Sequence, residues 1–317
     1  MIQVFKTGPQ KVRELIIRNI AKALSLFTLI FLIPVFLTSV LFAPVFAQET
    51  SDSEVKTEGK PRFEFGLASA ALQVPAYPSS SVNTERLFVL PWFIYRSDKL
   101  QVKDGGVQLI AYQSDRLVID LGIAGSLNSD TSETPLRDGL PDLDFIIELG
   151  PRFTVPIFDR TDSKNRRSRL NWVTSFRFAV STDFSSLDDR GPVLNTQLSY
   201  RKDGLFNNKL SFDVAGGPTW LGSQLQDYFF SVDPEFVTPD RPQFDAEAGY
   251  LGFNFSAGFR YRPVKRISTF LGLGVNSLAG SRNADSPLFE DELTTQIILG
   301  ISYQVFRTKR SVQVFDE

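Results

Sequence analysis

The stretch AEAGYLGFNFSAGFRYRP, residues 246–263, alternates between two kinds of side chain. Within residues 251–261 the odd positions are apolar or aromatic, and the even positions are small, polar or charged. Successive side chains of an extended chain point to opposite faces, so this pattern predicts a β-strand with one apolar and one polar face. Its aromatic residues suit a face in contact with lipid. A half-buried strand of a soluble β-sandwich would show the same alternation, so other parts of the chain must distinguish the two.

The first 47 residues have the features of a cleaved export signal. Five basic residues precede an almost entirely apolar run over residues 23–42, and the sequence VFA at residues 45–47 supplies the small residues that a signal peptidase reads. We therefore expect cleavage after Ala47. A retained membrane anchor is the alternative, because the apolar run is long enough to cross a bilayer. Pro34 within the run and the polar residues 48–60 favour removal.

The composition of the remaining 270 residues favours a closed β-barrel. The chain has no Cys and no His, and 29 Phe stand against a single Met. An exported chain without disulfides depends on packing and backbone pairing, and a closed barrel supplies both because every strand edge is paired. The chain has 34 Lys and Arg and 36 Asp and Glu, of which the first 47 residues hold five and one, so the exported part has a net charge near −6. That balance argues against a nucleic-acid partner, which would require a basic face.

Strand-like segments follow one another almost to the end of the chain. They cover residues 62–73, 86–96, 100–112, 116–127, 142–158, 170–182, 193–201, 209–221, 246–263, 266–279 and 293–306. The sequence DGG at residues 104–106 is a tight-turn signal that divides the third segment into a short hairpin, so the count is twelve. Ten strands would result if that hairpin lies outside the barrel wall.

The connections between these segments support twelve strands. Longer and shorter connections alternate along the chain, which is the arrangement of an outer-membrane barrel with long outer loops and short periplasmic turns. An undivided hairpin would give eleven strands and place long loops on both sides. We therefore predict an all-β, antiparallel transmembrane barrel in the outer membrane of a Gram-negative bacterium, surrounded by its lipid. The expected organisation is a signal peptide (1–47), a polar leader (48–61), the barrel (62–306) and a periplasmic tail (307–317).

The inward faces of the predicted strands carry mixed charges and amides. These candidate lumen residues are Asp144, Glu148, Arg152, Arg177, Asp213, Asn254, Arg260, Gln296 and Gln304. Such residues can line an aqueous path or pair across the lumen and fill it. A barrel of this size is narrow and unpaired buried charge is costly, so we expect the acids and arginines to pair and the lumen to be plugged.

The residue types argue against an enzyme. Outer-membrane hydrolases usually use a histidine as the proton carrier, and this chain has no His. A zinc site would also lack its usual ligands, because the chain has neither Cys nor His. No loop has the regular spacing of oxygen ligands that calcium requires. We expect no catalytic residues, no cofactor and no metal.

The predicted loop at residues 222–245 is the longest and most aromatic of the outer loops. Its sequence QLQDYFF permits a short helical turn, although an ordered aromatic loop that caps the barrel mouth is the favoured interpretation. If the loop binds a partner at the cell surface, Tyr228, Phe229 and Phe230 are the expected exposed contact residues.

Several segments resemble the MipA/OmpV family of outer-membrane proteins, named for a protein that interacts with a lytic transglycosylase. The segments are GLASAALQVPAYPSS (66–80), LPWFIYRSD (90–98), GLPDLDFIIELGPRF (139–153), GPTWLGSQLQDYFFSV (217–232), FDAEAGYLGFNFSAGFRYRP (244–263), ADSPLFEDE (284–292) and ISYQVF (301–306). They occur in the family's order over nearly all of the exported chain. One departure is that the chain continues beyond Phe306, where such barrels usually end on an aromatic residue.

The resemblance implies a non-enzymatic scaffold that joins a lytic transglycosylase to a penicillin-binding protein at the cell wall. Basic residues in the predicted periplasmic turn are candidates for docking those enzymes: Lys164, Arg166, Arg167 and Arg169. The same basic residues would also occur in a turn that is only exposed to solvent and binds no partner. A small-solute channel, which needs an open lumen, and a surface adhesin, which needs exposed outer loops, are the alternative functions.

Overall fold

The computed structural model describes residues 60–96, 100–103, 106–126, 134–308 and 311–312. Within them, twelve antiparallel strands form one closed barrel: each pairs with the next along the chain, and the last pairs with the first. The barrel strands are β2 (Phe63–Pro75), β3 (Asn83–Arg96), β4 (Leu100–Lys103), β5 (Gly106–Gln113), β6 (Val118–Ser126), β7 (Phe145–Thr161), β8 (Arg167–Thr182), β9 (Asp188–Gly204), β10 (Leu210–Leu221), β11 (Gly249–Val264), β12 (Ile267–Ser277) and β13 (Leu293–Arg307). The predicted all-β transmembrane barrel of about twelve strands is confirmed.

Few residues lie outside the barrel wall in regular structure. Strands β1 (Lys60–Pro61) and β14 (Ser311–Val312) pair with each other. The helix α1 (Ser223–Phe230) lies between β10 and β11, so the favoured interpretation of this stretch as an ordered loop is wrong and the helical alternative is correct. Shorter helical turns are Pro135–Arg137, Leu205–Asn208 and Pro234–Phe236. Among the residues that the structure describes, no helix is long and apolar enough to cross a membrane.

The barrel wall follows the predicted alternation, and β11 shows it clearly. Phe253, Phe255 and Phe259 are exposed on the outside of the strand, whereas Ser256 and Gly258 between them are buried. Because side chains alternate across a strand, the exposed apolar residues share the outer face, which is the face that contacts lipid in a membrane barrel.

Aromatic rings of β7, β9, β10 and β11 form a series of contacts on the outer face of the wall. Phe158 of β7 lies 6.3 Å from Tyr200 of β9 between ring centroids, Tyr200 lies 5.8 Å from Phe212 of β10, and Phe212 stacks 6.3 Å from Phe259 of β11. Aromatic girdles at this position mark the boundary between hydrocarbon and water in transmembrane barrels.

The two ends of the barrel differ in their connections. At one end, called here the turn end, the barrel begins and finishes and short turns join the strands, for example residues 162–166 and 265–266. At the other, called the loop end, the connections include residues 222–248 and 278–292. The short hairpin β4–β5 lies within the wall, since β4 pairs with β3 and β5 pairs with β6.

Several strands extend beyond the predicted limits. Strand β9 covers residues 188–204 rather than 193–201, and β8 begins at Arg167 rather than at residue 170. Backbone pairing continues through polar residues after the apolar alternation has ended, so the hydrophobic pattern marks only the lipid-facing part of a strand. In contrast, β7 begins at Phe145, and Asp144 therefore precedes the strand instead of occupying the predicted inward position on it.

Candidate functional site

An ion pair joins β6 and β7 inside the barrel. Asp120, which is fully buried, lies directly opposite Arg152 in the strand register. Arg152 donates from Nε to Oδ1 at 3.1 Å and from Nη2 to Oδ2 at 3.1 Å. Charge-assisted pairs of this two-point geometry are among the stronger polar contacts in proteins. The polar face of residues 116–127 contains Asp120, but the sequence gives no indication that Arg152 is its partner.

A second ion pair joins β7 and β8. Nε of Arg177 donates to Oε2 of Glu148 at 2.7 Å, and Arg177 also donates to the hydroxyl of Ser175. These three residues lie on the strand faces opposite the exposed Leu149, Phe176 and Phe178. Since side chains alternate along a strand, Glu148 and Arg177 are on the inner side of the wall.

A third charged group lies near the turn end of β8, β9 and β10. Arg169 and Arg201 are directly opposite each other, an arrangement that repels unless a carboxylate lies between them. Asp203 provides it, accepting from Arg169 at 2.9 Å and from Arg201 at 2.9 Å. Asp213 of β10 is opposite Arg201 on its other side and faces Gly258 of β11. A side chain at position 258 would collide with the Asp213 carboxylate.

The position of Arg169 corrects its prediction as an exposed docking residue. Its side chain is only 4% exposed. The reason is the early start of β8: extending the strand to Arg167 gives residue 169 the same inward parity as Asn171 and Ser175, which are buried on that face.

We expect Asp203→Ala to destabilise the barrel by about 3–5 kcal/mol, because it leaves two buried arginines without their shared carboxylate. The measurement is urea unfolding of the refolded protein in lipid vesicles, followed by tryptophan fluorescence. The control is Asp159→Ala, which removes the partner of Arg167 in a more exposed ion pair at the same end and should cost less than about 1 kcal/mol. Equal effects of the two substitutions would contradict the assignment of Asp203 as a bridging group.

Amides and hydroxyls connect the remaining inner positions. Asn254 donates to Asn276 at 2.6 Å, Asn276 to Thr294 at 3.3 Å, and Thr294 to the carbonyl of Pro78 at 3.2 Å. Gln304 donates to the carboxylate of Glu64. Of the other candidate lumen residues, Gln296 lies opposite Gly274 and Arg260 opposite Phe270.

Four connections pack together at the loop end to form what we call the loop cap: residues 76–82, 134–144, 222–248 and 278–292. Helix α1 lies in the mouth, where Leu225, Phe229 and Phe230 form one apolar cluster with inner residues of four strands. Those strand residues are Ile146, Ala179, Val193 and Leu221. Gln226 of the same helix is also buried and donates to the carbonyl of Gly249.

The aromatic residues of α1 do not have the predicted exposure. Phe229 and Phe230 are buried, and Tyr228 is half-buried with its hydroxyl 2.6 Å from the backbone nitrogen of Asp144, which donates to it. The guanidinium of Arg190 covers the ring of Tyr228 at 3.8 Å from its centroid. The prediction that these residues are exposed is therefore wrong for Phe229 and Phe230, because the helix turns them toward the barrel axis rather than toward solvent.

Two arginines connect separate segments of the loop cap through backbone carbonyls. Arg137 is buried and donates to the carbonyl of Phe229 at 3.0 Å, while its guanidinium lies 5.6 Å from the centroid of the Tyr77 ring. Arg241 donates to the carbonyls of Leu136 and Asp138 at 3.0 and 2.9 Å. Each guanidinium thereby satisfies carbonyls that the loops would otherwise leave without partners.

Tyr77 links the first and last segments of the loop cap. Its hydroxyl contacts the carbonyl of Leu288 at 2.8 Å and the carboxylate of Glu290 at 2.9 Å. Glu290 also accepts hydrogen bonds from Ser81. Burial raises the pKa of the Tyr77 phenol well above its ordinary value, so the group keeps its proton and can donate. The loop cap is thus a packed and hydrogen-bonded unit rather than a set of independent loops.

Ion pairs order the turn at residues 162–166, which lies at the turn end. Arg166 donates from Nε to Asp162 at 2.7 Å, and Arg167 donates from Nε to Asp159 at 2.9 Å. The backbone nitrogen of Lys164 also donates to Asp162, and the Lys164 side chain is exposed. Lys164 is therefore exposed and Arg166 and Arg167 are half-buried in or beside this turn, whereas Arg169 is buried.

Hydrogen bonds from Arg166 lower the pKa of the Asp162 carboxyl from its ordinary 3.8 to about 2. A carboxyl whose pKa is depressed by folding stabilises the folded turn above its ordinary pKa, and this contribution is lost as the pH falls through about 2. We expect carboxyl NMR titration to give a pKa near 2 for Asp162, and Arg166→Gln to return it toward the ordinary value. A titration unchanged by that substitution would contradict the assigned cause.

The adjacent turn at residues 205–209 contacts this ordered turn. Gly204 has a φ of +84°, and a side chain there would meet the carbonyl of Asn165 at 2.9 Å. Phe206, Asn207 and Asn208 also have positive φ, and the Phe206 side chain is 76% exposed. A bulky residue in the left-handed region carries local strain of about 1–3 kcal/mol, and such strain concentrates at functional positions. Sequence reasoning did not identify Phe206, because it lies in a turn without a hydrophobic pattern.

The described residues contain no group of three or more His, Cys, Asp or Glu side chains arranged to hold a metal ion.

Comparison with known proteins identifies the family. Residues 67–305 match the family model described as MltA-interacting protein MipA. No curated protein matches the sequence. Among solved structures, the chain is similar to the NanC porin, with 8% identity, a TM-score of 0.37 and coverage of 75% of this chain and 100% of that chain. It is similar to the Pseudomonas putida toluene transporter TodX, with 8% identity, a TM-score of 0.31 and coverage of 84% of this chain and 94% of that chain. It is also similar to an outer membrane channel from Pseudomonas putida F1, with 11% identity, a TM-score of 0.30 and coverage of 80% of this chain and 100% of that chain. Because the family match covers more than half of the sequence, and the matched residues form a closed antiparallel barrel, the chain belongs to the MipA family of outer-membrane β-barrel proteins.

Proposed function

We propose that this protein is a non-enzymatic scaffold of the outer membrane that binds a lytic transglycosylase, and through it or beside it a penicillin-binding protein, at its turn end. The observation that carries the proposal is the match to a family described as MltA-interacting over residues 67–305. In this proposal the signal peptide is removed after Ala47, and the barrel (62–306) is followed by a periplasmic tail (307–317). The turn end then faces the periplasm, where cell-wall enzymes act.

The structure supports a scaffold better than an open pore. Helix α1 and the loops around it fill the mouth at the loop end, and the ion pairs Asp120–Arg152 and Glu148–Arg177 occupy the inner side of the wall. A narrow barrel with these features offers little free path for a solute. Burial of Phe229 and Phe230 gives no support to an adhesin that would use them as contact residues.

We propose that the partner docks on the two contacting turns at residues 162–166 and 205–209. Phe206 supplies an exposed apolar group on one turn, and Lys164 supplies an exposed charge on the other. Interfaces commonly combine a central aromatic residue with a charged rim. Arg166 and Arg167 hold the first turn in place through Asp162 and Asp159 and are expected to act as positioning residues.

The test is binding of the purified barrel in nanodiscs to the lytic transglycosylase of the same organism, measured by biolayer interferometry. We expect Phe206→Asp to weaken binding by at least tenfold, in the range of an aromatic interface residue. Phe184→Asp is the matched control, because Phe184 is also an exposed Phe with positive φ but lies in a connection at the loop end. No binding by the unmodified barrel, or equal loss in both variants, would contradict the proposed function.

A further inference from the structure

A cavity of about 250 Å³ opens at the turn end between the β11–β12 turn and the last residues of β13. Its lining consists of Lys265, Arg266, Gln304, Val305, Phe306 and Arg307. None of the residues that line the cavity belongs to the turns at residues 162–166 and 205–209 that carry the proposed docking surface, and they have no place in the function proposed above.

Two β-bulges shape this part of the rim. The register between β11 and β12 shifts between Tyr261 and Val264, and the register between β13 and β2 shifts between Gln304 and Phe306. A bulge inserts an extra residue and re-aims the side chains beside it. As a result the consecutive residues Val305 and Phe306 are both exposed, with Phe306 at 53%, and continue the outer apolar face of β13.

The polar side of the cavity carries an excess of positive charge. Lys265, Arg266 and Arg307 are exposed, and none of the three forms an ion pair with another residue that the structure describes. The carboxylate nearest to them in the register is Glu64, which lies opposite Arg307 and accepts a hydrogen bond from Gln304. Three positive side chains and one carboxylate give this part of the rim a net positive charge, which suits the binding of an anion.

The cavity therefore has two unlike walls, one facing the bilayer and one facing water. Val305 and Phe306 belong to the lipid-facing surface, while the three cations lie on the rim where the strands end. A ligand that satisfies both walls must be amphiphilic, with a negatively charged head and apolar tails. A free phosphate ion would use only the polar wall.

We propose that this cavity binds the phosphate headgroup of an anionic phospholipid, with Lys265, Arg266 and Arg307 contacting the phosphate and with Val305 and Phe306 contacting the acyl chains. Basic pockets at the level of the headgroups bind anionic lipids in other membrane proteins by the same chemistry. The bound lipid would fill the gap beside the two bulges, between the β11–β12 turn and the end of β13.

The test is native mass spectrometry of the full exported chain, released from detergent after titration with phosphatidylglycerol. We expect one phosphatidylglycerol to remain bound in preference to phosphatidylcholine. The triple variant K265Q/R266Q/R307Q is expected to lose about tenfold or more in apparent affinity, and the single variants K265Q and R307Q about threefold each. The single variants keep the proposal testable if the triple variant does not assemble.

The matched control is the triple variant R116Q/R160Q/K202Q, which removes the same charge from basic residues at the same end that lie outside both the cavity and the proposed docking surface. It is expected to bind phosphatidylglycerol as the unmodified barrel does. Equal loss in both triple variants would mean that the lipid responds only to net charge, and unchanged binding in K265Q/R266Q/R307Q would place the lipid elsewhere. Either result overturns the proposal. Inorganic phosphate that competes at millimolar concentration with phosphatidylglycerol would overturn the lipid as the ligand and leave only a phosphate site.

Discussion

Phe230→Asp is expected to convert a barrel with a filled mouth into one that conducts ions. Phe230 is 0% exposed, and its ring lies 6.1 Å from Phe229 and 6.0 Å from Phe289 between centroids. A carboxylate at this position would be buried without a partner, which costs several kcal/mol, so the loop cap must open to hydrate it. The twelve-strand wall has its own hydrogen-bond ladder and does not depend on that ring.

Single-channel recording in planar bilayers measures this effect. We expect the unmodified barrel to show little current and Phe230→Asp to show longer and larger openings. Val237→Asp is the control, because Val237 is an exposed apolar residue of the same connection and should leave the current unchanged. If protease cuts residues 222–248 only in Phe230→Asp and the current still does not rise, the inner ion pairs and not the loop cap block the lumen.

The wall of the barrel could be predicted from the sequence because lipid imposes a simple rule on each strand separately. Every second residue must be apolar over the length of a lipid-facing segment, and β11 and β13 obey this with aromatic and branched residues. The DGG signal at residues 104–106 marked the β4–β5 hairpin for a similar reason, since tight turns have local residue requirements. The errors at strand ends arose where polar residues continue the ladder beyond the bilayer.

The loop cap could not be predicted because its contacts join residues that are far apart in sequence. Tyr77 meets Leu288, and Arg137 meets Phe229, and no local pattern records either contact. The sequence QLQDYFF does permit a helix, but only the packing of four connections shows that its rings point into the mouth. The role of Asp203 was missed for the same reason, since it depends on two arginines that the register of β8 and β9 places opposite each other.

Phe255→Lys is expected to reduce assembly of the barrel in the membrane by tenfold or more, while Asn254→Lys is expected to leave it nearly unchanged. Phe255 is 49% exposed on the outer face of β11, and Asn254 lies on the inner face, where it bonds to Asn276. A Lys on the lipid face near the bilayer midplane costs about 2–4 kcal/mol, and each 1.4 kcal/mol is a factor of about ten in the folded fraction. A Lys at Asn254 loses one hydrogen bond but can extend along the polar interior.

The folded fraction in lipid vesicles, measured by heat-modifiable migration in gels, distinguishes the two variants. Leu299→Lys on the outer face of β13 provides a second lipid-facing test, because Leu299 is exposed and lies in a different strand. If Phe255→Lys and Leu299→Lys both fail to assemble and Asn254→Lys succeeds, the alternation in residues 251–261 reports the orientation of β11 toward lipid. If Phe255→Lys and Asn254→Lys behave alike, the inner and outer faces of β11 are assigned wrongly, and the ion pairs placed inside the neighbouring wall lose their support as well.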